Sequence, residues 1–197
     1  MGLTGGMGCG KSEAARYLES LGARHVDADA ISRSLTAPGG AALPAIRARF
    51  GDDVFLPDGA LDRRAMAERV FGDAASRRAL EAILHPLVQR QMVDEIEAAG
   101  REGVAVTILN VPLLFESGMD VLCDETWAMS APEAAQLQRI RARDGLSERD
   151  ARARLDAQLS MSERNARASR VIDSERPIEK TRAELKQLYQ QLLRRIG

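Results

Sequence analysis

Eight residues near the start of this 197-residue chain restrict it more than any other feature: Gly5-Gly6-Met7-Gly8-Cys9-Gly10-Lys11-Ser12. They follow a short apolar run at 2–4 and open a stretch of helical period at 11–21. There Ala14, Ala15, Leu18 and Leu21 share one side, and Gly22 follows as a stop signal. The pattern is G-x-x-x-x-G-K-[ST], in the strand–turn–helix setting that a phosphate-cradling loop requires. Glycines permit φ > 0 and let successive N–H groups close on phosphate oxygens. The helix behind them adds unpaired N–H groups and the positive end of its dipole. A lysine reaches the β- and γ-phosphates, and the hydroxyl after it ligates Mg²⁺. The expected nucleotide contacts are therefore Gly6, Gly8, Cys9, Gly10, Lys11, Ser12 and Glu13, with Ser12 also on the metal. A glycine turn that merely starts a helix is the plainer alternative. Against it, arginine supplies 25 of the 28 basic residues, and Lys11 is the only lysine before Lys180. A compact ammonium stands where a guanidinium fork would not serve.

Beyond the loop, short β-branched runs at 24–27, 104–110, 125–130 and 170–173 join 2–4 as strand candidates. Helical patterns fill 29–35, 43–50, 63–71, 74–84, 87–99, 132–143, 147–158 and 177–195, and Ser147 with Asp150 suggests a capping box. The alternation predicts βαβ units and a parallel sheet covered on both faces. Residues 57–99 hold helix after helix with no strand, as an inserted helical subdomain would. The arginine-rich segment 136–158, two helices joined near residues 144–146, reads as a mobile lid. The core is then 1–56, 100–135 and 159–197, all within one domain. The first strand is short for a buried central one, usually about five or six residues; it is either clipped or preceded by native residues not present here.

Bulk properties narrow the class. With 45% hydrophobic and 29% charged residues the chain is ordinary for a globular protein. It is long enough to bury roughly 70% of its unfolded surface without a disulfide or metal staple. A net charge of -1 offers no long-range attraction to nucleic acid or anionic lipid. The two cysteines, Cys9 and Cys123, have no metal-ligand spacing and point to a reducing compartment. No leader-like start and no run of 18 apolar residues is present, so a cytoplasmic protein without membrane contact is expected. A guanine-selective switch would need Asn-Lys-x-Asp, and neither Asn110 nor Asn165 is followed by lysine. Cys9, near Lys11 and a helix start, is either an oxidation-sensitive thiol or, more simply, a small space-filler.

A series of blocks then carries a family resemblance. Residues 2–12, Asp27-Ala28-Asp29 with Ile31 and Arg33, His85-Pro86-Leu87-Val88, Val111-Pro112-Leu113-Leu114-Phe115-Glu116, Arg143-Asp144-Gly145-Leu146-Ser147 with Arg154 and Gln158, and Val171-Ile172-Asp173 resemble the dephospho-CoA kinases in the same order. The resemblance implies a three-layer P-loop NTPase fold like that of nucleoside monophosphate kinases, with five parallel strands, a helical CoA-binding insertion and a lid. It implies transfer of the γ-phosphate of ATP, with Mg²⁺, to the ribose 3′-hydroxyl of dephospho-CoA by a monomer or weak homo-oligomer. Adenylate, cytidylate and shikimate kinases are the nearest rivals, and the Asp-Ala-Asp and His-Pro blocks speak against them. A nucleic-acid-processing ATPase is disfavoured by charge and size.

Asp29 follows a strand at the carboxyl edge of a parallel sheet, where ligands collect. A carboxylate there can take a hydroxyl's proton, or simply cap the next helix; the resemblance implies the catalytic role, while Asp27 either helps with metal-bound water or caps. Arg139 and Arg143, four apart, share a helix face, and the resemblance makes them lid groups that spread developing phosphoryl charge. It also places Arg33 and His85 at the acceptor, although His85 before Pro86 can equally cap a helix. His25 reads as strand packing and Trp127 as core. Three departures from the family stand out: Asn110 where many P-loop enzymes place an acid, Glu13 after the loop serine, and Ser174-Glu175-Arg176-Pro177 where Asn and Gly are usual. Glu13 should point away from the phosphates.

Overall fold

The computed structural model describes residues 1–196. Five strands, β1 (Gly2–Gly5), β2 (Arg24–Asp27), β3 (Thr107–Asn110), β4 (Thr126–Ser130) and β5 (Arg170–Asp173), form one sheet in the order β2-β3-β1-β4-β5. Every neighbouring pair is parallel. The first strand in the chain thus lies in the middle, between β3 and β4. The order reverses there, and the loop leaving β1 emerges at the switch point of the carboxyl edge. Nine helices are described: α1 (Lys11–Ser20), α2 (Ala28–Leu35), α3 (Leu43–Phe50), α4 (Arg63–Val70), α5 (Ala74–Arg101), α6 (Glu133–Asp144), α7 (Glu148–Asp156), α8 (Met161–Arg167) and α9 (Ile178–Ile196).

The chain divides into two compact units. One is Met1–Asp27 with the chain from Ile96 onward, and the other is Ala28–Glu95. In the first, Leu3, Ile108, Trp127 and Ile172 pack with Ala15 and Leu18 of α1 and with Leu185 and Tyr189 of α9. Leu109 and Ala128, of the opposite pleat, are equally buried, so both faces of the sheet are covered. In the second unit Ile46, Phe50, Val54 and Met66 are buried. Arg63 there donates to Thr36 Oγ1 at 3.0 Å and to the carbonyl of Arg33 at 3.2 Å. Among the described residues no helix is long and apolar enough to cross a membrane.

Several expectations change. Residues 104–106 do not join β3, because Val104 N–H bonds the carbonyl of Ala99 at 2.9 Å and closes the end of α5. The helices expected at 74–84 and 87–99 are one 28-residue helix running through Pro86. Proline deprives the carbonyl four residues earlier of its donor. That carbonyl belongs to Ala82, an exposed residue, while Val88 and Met92 beyond the proline stay buried. His85 is consequently mid-helix and caps nothing. No loop separates β2 from α2, so Asp29 is the second residue of the helix rather than its cap. Finally α8 was not foreseen, although Ser160 and Glu163 form a complete capping box at its start.

Candidate active site

The loop after β1 takes its shape from two left-handed glycines, Gly8 at φ 80° and Gly10 at φ 76°. The Cys9 N–H donates to the Gly6 carbonyl at 3.1 Å and closes the turn. Gly10 caps α1 without any side-chain hydrogen bond, which leaves the helix start to the solvent side. The turn is also pressed against later parts of the chain. A β-carbon on Gly6 would stand 2.7 Å from Gln136 Oε1 and 3.3 Å from Arg164 Nη1. Met7 packs among Leu137, Ile140, Leu146, Ala151 and Leu155, and its N–H donates to Gln158 Oε1 at 3.1 Å. The segment expected to be a lid is therefore seated on the loop in this structure.

Lys11 Nζ donates to Asn110 Oδ1 at 2.5 Å. Asn110 ends β3, is 2% exposed, and lies opposite Asp27 in the sheet register. Its Nδ2 is 3.1 Å from His25 Nε2. His25 is thus more than strand packing: it faces the group that holds the loop lysine. The expected Mg²⁺ position has to be filled without an acid at Asn110. Among the described residues no group of three His, Cys, Asp or Glu side chains converges. One hydroxyl, Ser12, exposed beside the loop, suits an ion that arrives on phosphates and keeps several waters.

Arg139 reaches the loop: Nη1 donates to the Gly8 carbonyl at 3.0 Å and Nη2 to the Ser174 carbonyl at 2.9 Å. Arg143 does not join it. Its guanidinium forks onto Asp144 at 2.6 and 2.9 Å, and this hydrogen bond holds the Asp144 carboxyl below its usual value. A cavity of about 230 Å³ beside Gly10 is lined by Tyr17, Met129, Arg139, Ser174, Arg176 and Arg182. Glu13 also lines this cavity. Its carboxylate takes a 2.5 Å hydrogen bond from Arg182, which keeps it below the ordinary carboxylate range.

Arg164, in the unforeseen α8, is 4% exposed. It donates to the Leu159 carbonyl at 2.9 Å and lies 3.4 Å from Glu116 Oε1, which also accepts from Leu159 N–H at 3.0 Å. Its Nε is buried with no hydrogen-bond partner. The only sequence signal for this residue was the Ser160–Glu163 cap. Cys9 corrects the redox reading: it is 2% exposed, and burial raises its thiol above the ordinary value. Cys9 fills space.

The remaining candidates lie in the second unit. Asp29 and Arg33 are both exposed and four apart, on the side of α2 away from buried Ala28, Ile31 and Leu35. His85 is half-buried midway along α5.

The chain is similar to known proteins over nearly its whole length. A family model described as dephospho-CoA kinase matches residues 1–180. The dephospho-CoA kinase of Moorella thermoacetica is 43% identical over 201 aligned residues, covering 100% of this chain and 93% of that one. Among solved structures, TT1252 from Thermus thermophilus matches with a TM-score of 0.82 at 34% identity, over 97% of this chain and 96% of that one. The dephospho-CoA kinase from Campylobacter jejuni matches with a TM-score of 0.73 at 26% identity, over 98% and 96%.

Proposed function

This chain belongs to the dephospho-CoA kinase family, and on that premise we propose that Lys11, Ser12, Arg139 and Asp29 carry its reaction. The activity is transfer of the γ-phosphate of ATP to the ribose 3′-hydroxyl of dephospho-CoA, giving CoA and ADP. A bond forms between the 3′-oxygen and the γ-phosphorus as the bond to the β,γ-bridging oxygen breaks. Ser12 would meet an Mg²⁺ brought in on the nucleotide, and that ion would supply positive charge at the phosphate oxygens. Lys11 adds its ammonium at the β- and γ-phosphates, and the loop N–H groups cradle them. Arg139 spreads the charge that builds on the transferring group. Asp29 takes the proton of the attacking hydroxyl.

Arg33 and His85, with the helical insertion at 57–99, take the CoA portion of the acceptor. Residues 136–158 serve as the lid, with Arg143 leaving Asp144 to join Arg139 when phosphate is bound. Gly6, Gly8, Cys9 and Gly10 contribute backbone to the nucleotide, with Glu13 at the edge of the same helix start. The enzyme works in the cytoplasm as a monomer or weak homo-oligomer, without nucleic acid or membrane.

The observation that carries this reading is Lys11 held at 2.5 Å from the tip of β3 beside a doubly left-handed turn. The test is to incubate the protein with Mg-ATP and a panel of acceptors and identify products by mass and phosphate position. Only 3′-phosphorylated dephospho-CoA is expected. Faster phosphorylation of shikimate or a nucleoside monophosphate would overturn it.

A further inference from the structure

We propose that His25 is a positioning residue for this phosphoryl transfer, acting through Asn110 to fix where Lys11 holds its ammonium. The proposal rests on the assignment of Lys11 to the triphosphate. It starts from the asymmetry of a carboxamide, which accepts at one end and donates at the other. Asn110 sits between a cation and an imidazole and is 2% exposed. Its Oδ1 must face the ammonium, because two donors would otherwise oppose each other. Its Nδ2 is then turned to His25, 3.1 Å away, and needs an acceptor there. The ring of His25 supplies one only as neutral imidazole with the proton on Nδ1, and Nδ1 is the nitrogen that faces Glu19, 3.8 Å from Oε2. His25, Asn110 and Lys11 therefore form one directional chain, with the Glu19 carboxylate near its outer end.

The chain has a chemical purpose. An acid at the tip of β3 would form an ion pair with Lys11 and draw off the charge that ATP needs. A neutral amide anchors the ammonium without adding a negative charge of its own. The amide alone does not suffice, since a carboxamide can turn end for end. His25 removes that freedom, so Lys11 waits for the phosphates already in place, and less ordering remains to be done when ATP binds.

Four variants test this: His25→Leu, His25→Gln, Asn110→Ala, and the double variant His25→Leu/Asn110→Ala. His25→Leu should raise KM for MgATP about fivefold, the size of one neutral hydrogen bond. Its kcat should stay within about twofold, because bound phosphates then hold Lys11 themselves. His25→Gln, which offers an acceptor oxygen near the position of Nε2, should restore KM. In the Asn110→Ala background His25→Leu should have no further effect on KM, whereas independent roles would add. An unchanged KM in His25→Leu with only a lowered Tm, or additive effects in the double variant, overturns the proposal. If Lys11→Ala keeps full activity, the assignment of Lys11 fails instead, and the two failures are told apart.

Discussion

Arg139 donates to the carbonyl of Gly8 at 3.0 Å, so a side chain of α6 holds the backbone of a loop that lies 131 positions earlier in the chain. The same guanidinium reaches the Ser174 carbonyl at 2.9 Å, and a planar fork can satisfy both where a single ammonium cannot. Arg139→Lys is therefore expected to behave as a loss rather than a conservative change. Steady-state kinetics should show kcat/KM for ATP lower by roughly tenfold or more, the cost of one charge-assisted hydrogen bond. Wild-type kinetics in the lysine variant would reduce Arg139 to a generic positive charge.

Asp29→Asn keeps the size and polarity of the side chain and removes its capacity to take a proton. A drop in kcat of about 10²–10⁴-fold is expected, with ATP affinity measured by calorimetry unchanged. The residue is exposed and in the first turn of α2, so stability should hardly move. Full turnover in this variant would leave Asp29 only its favourable place at the helix start.

Two glycines separate strain from crowding. Gly8 and Gly72 have nearly the same φ, 80° and 81°, but a β-carbon on Gly8 would lie 2.9 Å from the Gln136 carbonyl, whereas one on Gly72 would meet nothing within 4 Å. Gly72→Ala should cost about 1–2 kcal/mol of stability, the left-handed penalty alone, and leave ATP affinity intact. Gly8→Ala should cost more and abolish nucleotide binding, because the loop must also move off α6. Equal melting temperatures for the two variants would remove crowding from the account.

Burial raises the thiols of both cysteines, that of Cys123 to about 11. At pH 8 neither supplies an appreciable fraction of thiolate, so both should alkylate far more slowly than free cysteine, at rates that rise sharply on unfolding. ATP should make no difference to Cys9. Rapid modification of Cys9 in the folded enzyme, slowed by ATP, would restore the redox reading.

Glu125 links acid stability to one cluster. Burial pushes its carboxyl up, but hydrogen bonds from Arg195, from Trp127 at 2.8 Å and from Arg170 at 3.3 Å outweigh burial and hold it below the ordinary value. A depressed folded pKa stabilises above the unfolded value, about 4.3, and the gain is lost as pH falls through the folded pKa. Glu125→Gln should lower Tm at pH 7 and flatten its decline between pH 5 and 3. Parallel Tm curves for variant and wild type would exclude Glu125 as a source of acid lability.

The phosphate loop was legible because each of its residue types answers to backbone sterics or to phosphate, and both operate locally. The five strands were legible from β-branched runs, with errors only where turn bonds such as Val104 to Ala99 competed at an end. Pro86 misled because its effect depends on whether water reaches the orphaned carbonyl, which is a tertiary fact. Arg164 and the His25–Asn110 pair went unread for a related reason. Nothing in a strand histidine or one arginine among 25 shows which neighbour it will meet, since residues 25 and 110 come together only through sheet pairing. Arg143 shows the limit of helical spacing: it shares a face with Arg139, yet the adjacent Asp144 captures it.

Met7 lodges among side chains of α6 and α7, and Gly6 lies against Gln136 and Arg164. The surfaces that mould the motif are synthesised more than 120 positions after it. Closing so long a loop costs entropy before any contact repays it. A nascent chain should therefore carry the full signature and still fail to grip ATP until α8 has emerged, so competence for the nucleotide is among the last properties this protein acquires as it folds.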